Sequence, residues 1–229
     1  MRTPATRAVL FDVDFTLIHP GPAFQGTGYR DFCARHGVEV EAGKFERAVA
    51  QAAALLDAGP GAYDPEIFIR YTGRIIEAMG GSGPGVDRAA RDIYDEWAAC
   101  HHFELYEDVP ATLRDIRERG MRIGLISNTQ RCLSTFADHF ALSGLIDAWL
   151  SSADHGYMKP HPSIFAAALE RIGAQPGEAV MVGDSLPHDI AGALSIGMRG
   201  VLIARSHRPA AVPQGLPVIE SLRELPSLL

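Results

Sequence analysis

The chain has 229 residues, of which 47% are hydrophobic, and a formal net charge of −7. This balance is typical of a globular protein with a sizeable core, and it argues against a disordered chain or a basic nucleic-acid-binding one. No apolar stretch approaches the ~20 residues that span a membrane, and the N-terminal residues lack the apolar core of a secretory signal. We therefore expect a cytoplasmic protein with no membrane or nucleic-acid partner.

The first predicted strand ends in a pair of carboxylates. Residues 8–11 are apolar and are followed by Asp12, Asp14 and Thr16. Ligands bind at the carboxyl ends of strands in open α/β sheets, so two acids at this place indicate a reaction site. One carboxylate can attack or bind a metal while the other moves protons. A strand-end turn capped by Asp and Thr is the alternative that this motif alone leaves open.

A predominantly helical segment follows, from residue 19 to residue 106. Apolar periodicity and glycine stops predict helices over four ranges, 23–36, 42–58, 65–79 and 86–100. Most of the aromatic residues of the chain lie in this segment, which indicates a small core of its own. The predicted domains are therefore residues 1–18 with 107–229, and an inserted domain of residues 19–106.

Two more polar clusters follow in chain order. A predicted strand over 121–126 ends at Ser127 and Asn128, where a hydroxyl and backbone amides suit phosphate oxygens. Lys159 precedes Pro160, which disfavours helical conformation for the lysine and places it in a loop or at a helix entry. Lysine is rare in this chain, with two among 21 basic residues. A compact ammonium on a flexible stem can pair with anionic groups, and an exposed lysine before a proline turn is the alternative.

The last polar cluster follows a predicted strand over 179–182. Asp184 and then Asp189, five residues later, bring two more carboxylates to a strand end. Strand and helix patterns alternate after the insertion: helices over 111–119, 131–140, 163–172 and 189–196, strands over 149–152 and 201–203, a loop over 205–217, and a last short strand and helix. This alternation predicts an α/β fold, a Rossmann-like parallel sheet with helices on both faces, plus an all-helical inserted domain.

The clusters together resemble the motifs of the haloacid dehalogenase superfamily, most of whose members are magnesium-dependent phosphatases. The matching segments are residues 12–16 for the first motif, Ser127-Asn128 for the second, Lys159-Pro160 for the third, and Gly183-Asp184 with Asp189 for the fourth. All four occur in the family's order, and the match covers nearly the whole chain. The resemblance implies a catalytic core of residues 1–18 and 107–229, and a helical cap of residues 19–106 that closes over the active site and selects substrates.

The resemblance also implies a reaction. Asp12 is the expected nucleophile, which forms an aspartyl-phosphate, and Asp14 protonates the leaving alkoxide and then deprotonates water. An ordinary aspartate has a pKa of about 3.9, so Asp12 is expected to be ionised at neutral pH without a base. Mg²⁺ bound by Asp12, Asp184 and the backbone carbonyl of Asp14 relieves the repulsion between carboxylate and phosphate.

The remaining motif residues have supporting roles in this reading. Ser127, the Asn128 backbone amide and Lys159 are expected to hold the transferring phosphoryl oxygens, with Lys159 also counted as catalytic. Asp189 and Thr16 are expected just outside the metal ligands. The implied partner is a small-molecule phosphate ester, and the implied assembly is a monomer or a homodimer.

Asp14 separates the alternatives within the family. Dehalogenating members lack an Asp at this place, so its presence favours a phosphatase. A phosphomutase, which shields the aspartyl-phosphate from water, and a non-catalytic binding protein on the same scaffold stay open.

The chain also departs from the commonest motifs of the family. Phe15 stands where Gly is frequent, His161 where an acid is common, and His188 where Asn is common. A bulky residue such as Phe15 adopts positive φ only at a cost.

Overall fold

The computed structural model describes residues 5–56, 61–205 and 211–229. The chain divides into two compact units, Met1–His19 with Leu105–Leu229, and Pro20–Glu104. Within the described residues, no helix combines the length and the apolar character needed to cross a membrane.

The first unit is built on a six-stranded parallel sheet. In chain order the strands of the described residues are β1 (Ala8–Phe11), β2 (Ile18–Pro20), β3 (Phe103–Leu105), β4 (Arg122–Ser127), β5 (Ala148–Ser151), β6 (Ala179–Gly183), β7 (Arg199–Ile203) and β8 (Val218–Ile219). The large sheet has the order β5-β4-β1-β6-β7-β8, and β2 and β3 form a two-stranded sheet. The strand order reverses at β1, so the carboxyl ends of β4, β1 and β6 form the crevice where ligands bind in such sheets.

Nine α-helices lie in the described residues. They are α1 (Gly26–Arg35), α2 (Phe45–Ala52), α3 (Pro65–Ala78), α4 (Gly85–Glu96), α5 (Val109–Glu118), α6 (Leu133–His139), α7 (Ser152–His155), α8 (Pro162–Ile172) and α9 (Ala191–Ser195). Helices α1 to α4 belong to the second unit and α5 to α9 to the first. The predicted fold class is confirmed: a Rossmann-like parallel sheet with helices on both faces, together with a helical unit.

Buried apolar side chains hold the sheet of the first unit against its helices. Leu10 on β1, Ile126 on β4 and Met181 on β6 pack in one cluster with Phe165 and Leu169 of α8. Burying a side chain of this size contributes roughly 1.5–3 kcal/mol. The strands are therefore fixed relative to one another, and so are the loops that leave their carboxyl ends.

The second unit has an aromatic core. The rings of Phe24 and Trp97 lie 4.6 Å apart, and Phe103 packs edge-on against Trp97 at 5.0 Å. Tyr29 of α1 packs against Phe45 of α2 at 4.8 Å. Such ring pairs contribute about 0.5–1.5 kcal/mol each beyond the area they bury.

Four predicted helices differ in their details. The helix predicted over 42–58 is divided into a 3₁₀ turn at Ala42–Lys44, α2, and a second 3₁₀ turn at Ala53–Leu55, and its residues 57 and 58 lie outside the described ones. Gly43 in the first turn disfavours the α-helix.

The other differences concern helices of the first unit. The helix predicted from residue 131 begins at Leu133. The helix predicted from residue 189 is preceded by a π-helical turn at Leu186–Ile190. The last helix is 3₁₀, over Leu222–Ser227.

The strands β2 and β3 and the short helix α7 were not predicted. Each spans three or four residues, which is too short for an apolar period to show. Of the predicted loop over 205–217, residues 206–210 lie outside the described ones, and residues 211–217 contain no helix or strand.

Candidate active site

Lys159 links two buried carboxylates at the end of β1. The backbone N–H of Asp12 donates to the carbonyl of Val182, which continues the sheet for one residue beyond β1. The Lys159 Nζ lies 2.6 Å from Asp12 Oδ1, 2.6 Å from Asp189 Oδ1 and 3.0 Å from the carbonyl oxygen of Ile126. The three N–H groups of the ammonium therefore have three acceptors. Asp12, Asp189 and Lys159 are each less than a tenth exposed.

The side chain of Asn128 fixes the backbone of Lys159. Asn128 Nδ2 donates to the Lys159 carbonyl at 2.9 Å, and Lys159 N–H donates to Asn128 Oδ1 at 2.7 Å. This pair ties the loop after β4 to the loop before α8. The motif predicts a role for the backbone amide of Asn128 only, and the contact of its side chain was not predicted. The available signal was an amide side chain directly after the serine that ends the strand.

Three carboxylates converge next to this lysine. Oxygens of Asp12, Asp184 and Asp189 all lie within 4.8 Å of one another. Asp189 Oδ2 also accepts the N–H of Ser185 at 3.0 Å. A Cβ on Gly183 would lie 2.2 Å from Asp189 Oδ2, so only glycine lets this carboxylate come so close. A set of convergent carboxylates suits a hard divalent cation such as Mg²⁺. Asp189, predicted to lie outside the metal ligands, is within reach of the same cation.

Electrostatics at the cluster favour a bound cation. Burial, opposed by Lys159 and reinforced by Asp189, raises the pKa of Asp12 to about 7. Desolvation of its carboxylate and the neighbouring Asp12 and Asp189 also raise the pKa of Asp184. Burial alone would lower the pKa of Lys159, but the two carboxylates that it contacts raise it above its usual range. This pKa lies above the ordinary value expected from the sequence, and a divalent cation bound to Asp12 would favour its carboxylate form.

A tight turn holds the backbone of Asp14. Asp14 forms a single bridge with Ile18, and Phe15 N–H donates to the Ile18 carbonyl at 2.7 Å. Phe15 has a φ of 63° and is 44% exposed, so the bulky residue does adopt the left-handed conformation in which glycine is favoured. Such a conformation costs of the order of 1–3 kcal/mol. The hydroxyl of Thr16 is buried and has no hydrogen-bond partner in the described part of the chain, so its predicted supporting role stays a prediction.

Side chains at the end of β4 and in the loop after it contact the carboxylate of Asp14. Ser127 Oγ donates to Asp14 Oδ2 at 3.4 Å. Arg131 Nη1 lies 2.9 Å from Oδ1 and 3.1 Å from Oδ2. The contact of Arg131 with Asp14 was not predicted, because the sequence pattern places Arg131 in a helix over 131–140. The available signal was a charged residue four positions beyond Ser127, in the loop that leaves a strand end.

The two histidines that depart from the family motifs have local partners. His161 caps α8, where its Nδ1 accepts the N–H of Ser163. His188 Nδ1 shares a hydrogen bond of 3.0 Å with Ser185 Oγ. Both therefore help to hold the loops that carry Lys159 and Asp189.

A parallel sheet with convergent carboxylates and a buried lysine at the ends of its central strands is the arrangement of an active site in an α/β protein of the Rossmann-like class. Residues 6–197 match the family model of the haloacid dehalogenase-like hydrolases, and the chain belongs to that family. The resemblance seen in the four motifs is thereby confirmed.

Two relatives and one solved structure align over most of their length. The chain is 31% identical to the ribulose-1,5-bisphosphate 5-phosphatase of Halopiger xanaduensis, over 97% of this chain and 98% of the relative. It is 29% identical to the phosphoserine phosphatase of Thermus thermophilus, over 89% and 90% of the two chains. The crystal structure of a HAD phosphatase from Thermococcus onnurineus superposes with a TM-score of 0.67 at 25% identity, covering 97% of each chain.

Proposed function

We propose that this chain is a phosphatase that hydrolyses a small-molecule phosphomonoester with Mg²⁺, through an aspartyl-phosphate on Asp12. The observation that carries the proposal is the buried array of Asp12, Lys159 and Asp189 beside Asp184. Membership of the hydrolase family and similarity to two phosphatases over most of the chain support the activity.

In the first half of the reaction, an Asp12 oxygen attacks the phosphorus atom. The bond between phosphorus and the leaving oxygen breaks, and the Asp14 carboxyl gives its proton to that oxygen, which leaves as an alcohol. Ser127 and the Asn128 amide hold phosphoryl oxygens. A contact of Lys159 with a phosphoryl oxygen would replace one of its three present hydrogen bonds.

In the second half, water attacks the phosphorus atom of the aspartyl-phosphate. The Asp14 carboxylate takes a proton from the water, and the bond between phosphorus and Asp12 breaks. Inorganic phosphate and the Asp12 carboxylate are released. Asp14 therefore ends the cycle protonated, as it began, with a proton taken from the attacking water.

The metal would be held by the carboxylates of Asp12 and Asp184 and by the backbone carbonyl of Asp14, with Asp189 close enough to contribute. When bound, Mg²⁺ supplies charge relief between the carboxylates and the phosphate dianion. Asp12 and Asp184, whose pKa values are raised, are the groups that need this relief.

The activity is tested by phosphate release from a panel of phosphoglycolate, phosphoserine, sugar phosphates, nucleotides and an aryl phosphate, with Mg²⁺ and with excess chelator. We expect release from at least the aryl phosphate and one metabolite, in the presence of Mg²⁺ only. Absence of release from every member with Mg²⁺ present would overturn the proposed activity.

Replacing Asp184 should weaken metal binding. Asp184→Asn removes a charged oxygen ligand, so we expect the Mg²⁺ concentration for half-maximal turnover to rise at least about tenfold. The rise in melting temperature that Mg²⁺ causes in the wild type should shrink in parallel, because that rise reflects binding to the folded state. Asp115→Asn, which alters an exposed carboxylate on α5, is the matched control. A variant with wild-type Mg²⁺ dependence in both measurements would remove Asp184 from the metal site.

Replacing Asp14 should slow proton transfer without releasing the metal. For Asp14→Asn we expect kcat/KM, which reports the steps up to departure of the leaving group, to fall by on the order of 10²–10⁴ for alkyl phosphates and by less for aryl phosphates, whose leaving groups need no acid. The Mg²⁺ dependence should stay close to that of the wild type, because only the backbone carbonyl is proposed to touch the metal. Steady-state rates across a series of leaving groups measure this, and a loss independent of the leaving group would count against the acid role.

The alternatives differ in what Asp14 and water do. A phosphomutase would return the phosphoryl group to a sugar phosphate, so its products would contain little inorganic phosphate. A dehalogenase has no use for a leaving-group acid, and Asp14 opposes it. A binding protein would show no turnover.

Three further expectations stay predictions. They are the selection of the substrate by a cap formed from residues 19–106, a cytoplasmic location, and a monomeric or homodimeric state.

A further inference from the structure

Arg131 places a buried guanidinium beside the proposed acid and base. Its side chain is 1% exposed, and its Nη1 contacts both carboxylate oxygens of Asp14. Its backbone N–H donates to Thr129 Oγ1 at 3.0 Å, which fixes the loop that carries it. We infer that Arg131 is a positioning residue that holds the Asp14 carboxyl group for both proton transfers. This role depends on the proposed function of Asp14.

The physical chemistry of the pair favours a fixed geometry. A guanidinium keeps its charge at every accessible pH, and a charge removed from water is tolerated when it is paired with an opposite one. Asp14 is mostly buried as well, with its side chain 17% exposed. The contact with Nη1 therefore sets a preferred position for the Asp14 carboxyl group.

The backbone and the side chain of Asp14 are therefore fixed by different elements. The turn through Ile18 holds the backbone, and Ser127 at the end of β4 and Arg131 in the loop after it hold the carboxylate. Proton transfer depends steeply on distance, and a displacement of about 1 Å can cost roughly 10²-fold in rate. Loss of Arg131 would remove one of the two side chains, Arg131 and Ser127, that contact the carboxylate.

The inference is tested with Arg131→Met and Arg131→Lys, each alone and combined with Asp14→Asn. The substrates are one alkyl and one aryl phosphate that the wild type hydrolyses. We expect Arg131→Met to lower kcat/KM for the alkyl ester by about 10- to 100-fold and for the aryl ester by less, with little change in Mg²⁺ dependence. Arg131→Lys should be intermediate, because it keeps the charge but lacks the planar fork.

The combined variants separate positioning from other roles. If Arg131 acts through Asp14, adding Arg131→Met to Asp14→Asn should change kcat by less than about twofold. Arg119→Met, which removes an exposed arginine that pairs with Asp115 on α5, is the control and should leave both rates unchanged.

Three outcomes would overturn the inference. A rise in KM that persists in the Asp14→Asn background would mean that Arg131 binds the substrate itself. Equal losses of kcat/KM for both esters would indicate a general structural role. If Arg131→Met does not fold, an unchanged ratio of alkyl to aryl rates in Arg131→Lys would decide against positioning. A wild type inactive on both esters would instead overturn the proposed function.

Discussion

Asp12→Asn is expected to abolish Mg²⁺-dependent phosphate release, with kcat lowered by about 10⁴-fold or more. An amide oxygen is a poor nucleophile, and the variant cannot form the aspartyl-phosphate on which the proposed reaction depends. The loss should be as large for aryl as for alkyl phosphates, because nucleophilic attack precedes any contribution from the leaving-group acid. Phosphate release from purified protein, compared at saturating Mg²⁺, measures the effect.

The same variant should remain folded. Lys159 keeps its contacts with Asp189 and the Ile126 carbonyl, and an Asn oxygen can still accept from the ammonium. We expect a melting temperature within a few degrees of the wild type, which corresponds to about 1 kcal/mol or less. The exposed Asp115→Asn serves as the control for an amide substitution that leaves turnover intact. Near-normal turnover by a folded Asp12→Asn would remove Asp12 as the nucleophile.

Lys159→Met is expected to lose both activity and stability. The substitution leaves the buried carboxylates of Asp12 and Asp189 facing each other without the cation that lies between them. Removing one partner of a buried ion pair costs roughly 3–5 kcal/mol, and here two carboxylates lose their partner. Urea unfolding in the presence of chelator measures the loss, and the addition of Mg²⁺ should restore part of it, because the metal supplies positive charge to the same carboxylates.

Lys44→Met is the matched control, since Lys44 is the other lysine of the chain. Lys44 is exposed and pairs with Glu41 on the surface, so its loss should cost less than about 1 kcal/mol and leave turnover unchanged. Equal unfolding free energies for Lys159→Met and Lys44→Met would mean that the buried lysine does not offset the repulsion between Asp12 and Asp189.

The main features of the fold and the motif residues were predictable because each rests on a local pattern. An apolar run followed directly by Asp12 marks a strand end, and the same pattern recurs at Ser127 and Asp184. Parallel strands align their carboxyl ends, so β1, β4 and β6 bring these residues to one edge of the sheet. The alternation of strands and helices then leaves few arrangements for the rest of the first unit.

The contacts between the loops were not predictable in the same way. The pairing of Arg131 with Asp14 joins residues that are 117 positions apart. The hydrogen bonds between the Asn128 side chain and the Lys159 backbone depend on how the Asn128 side chain is oriented. No local period encodes either contact. The raised pKa of Asp12 was missed for a related reason, because it arises from burial and from Asp189, which come from the tertiary structure.

The aspartyl-phosphate itself is the most direct test of the proposed reaction. Asp14→Asn mixed with an aryl phosphate and Mg²⁺ should accumulate the phosphorylated enzyme, because the leaving group needs no acid while the attacking water lacks its base. After rapid acid quench, mass spectrometry of the peptides should find one phosphoryl group on Asp12, and none in the Asp12→Asn, Asp14→Asn double variant. Turnover by the wild type with no phosphoryl group on Asp12 at any quench time, or with the group on another residue, would contradict the account.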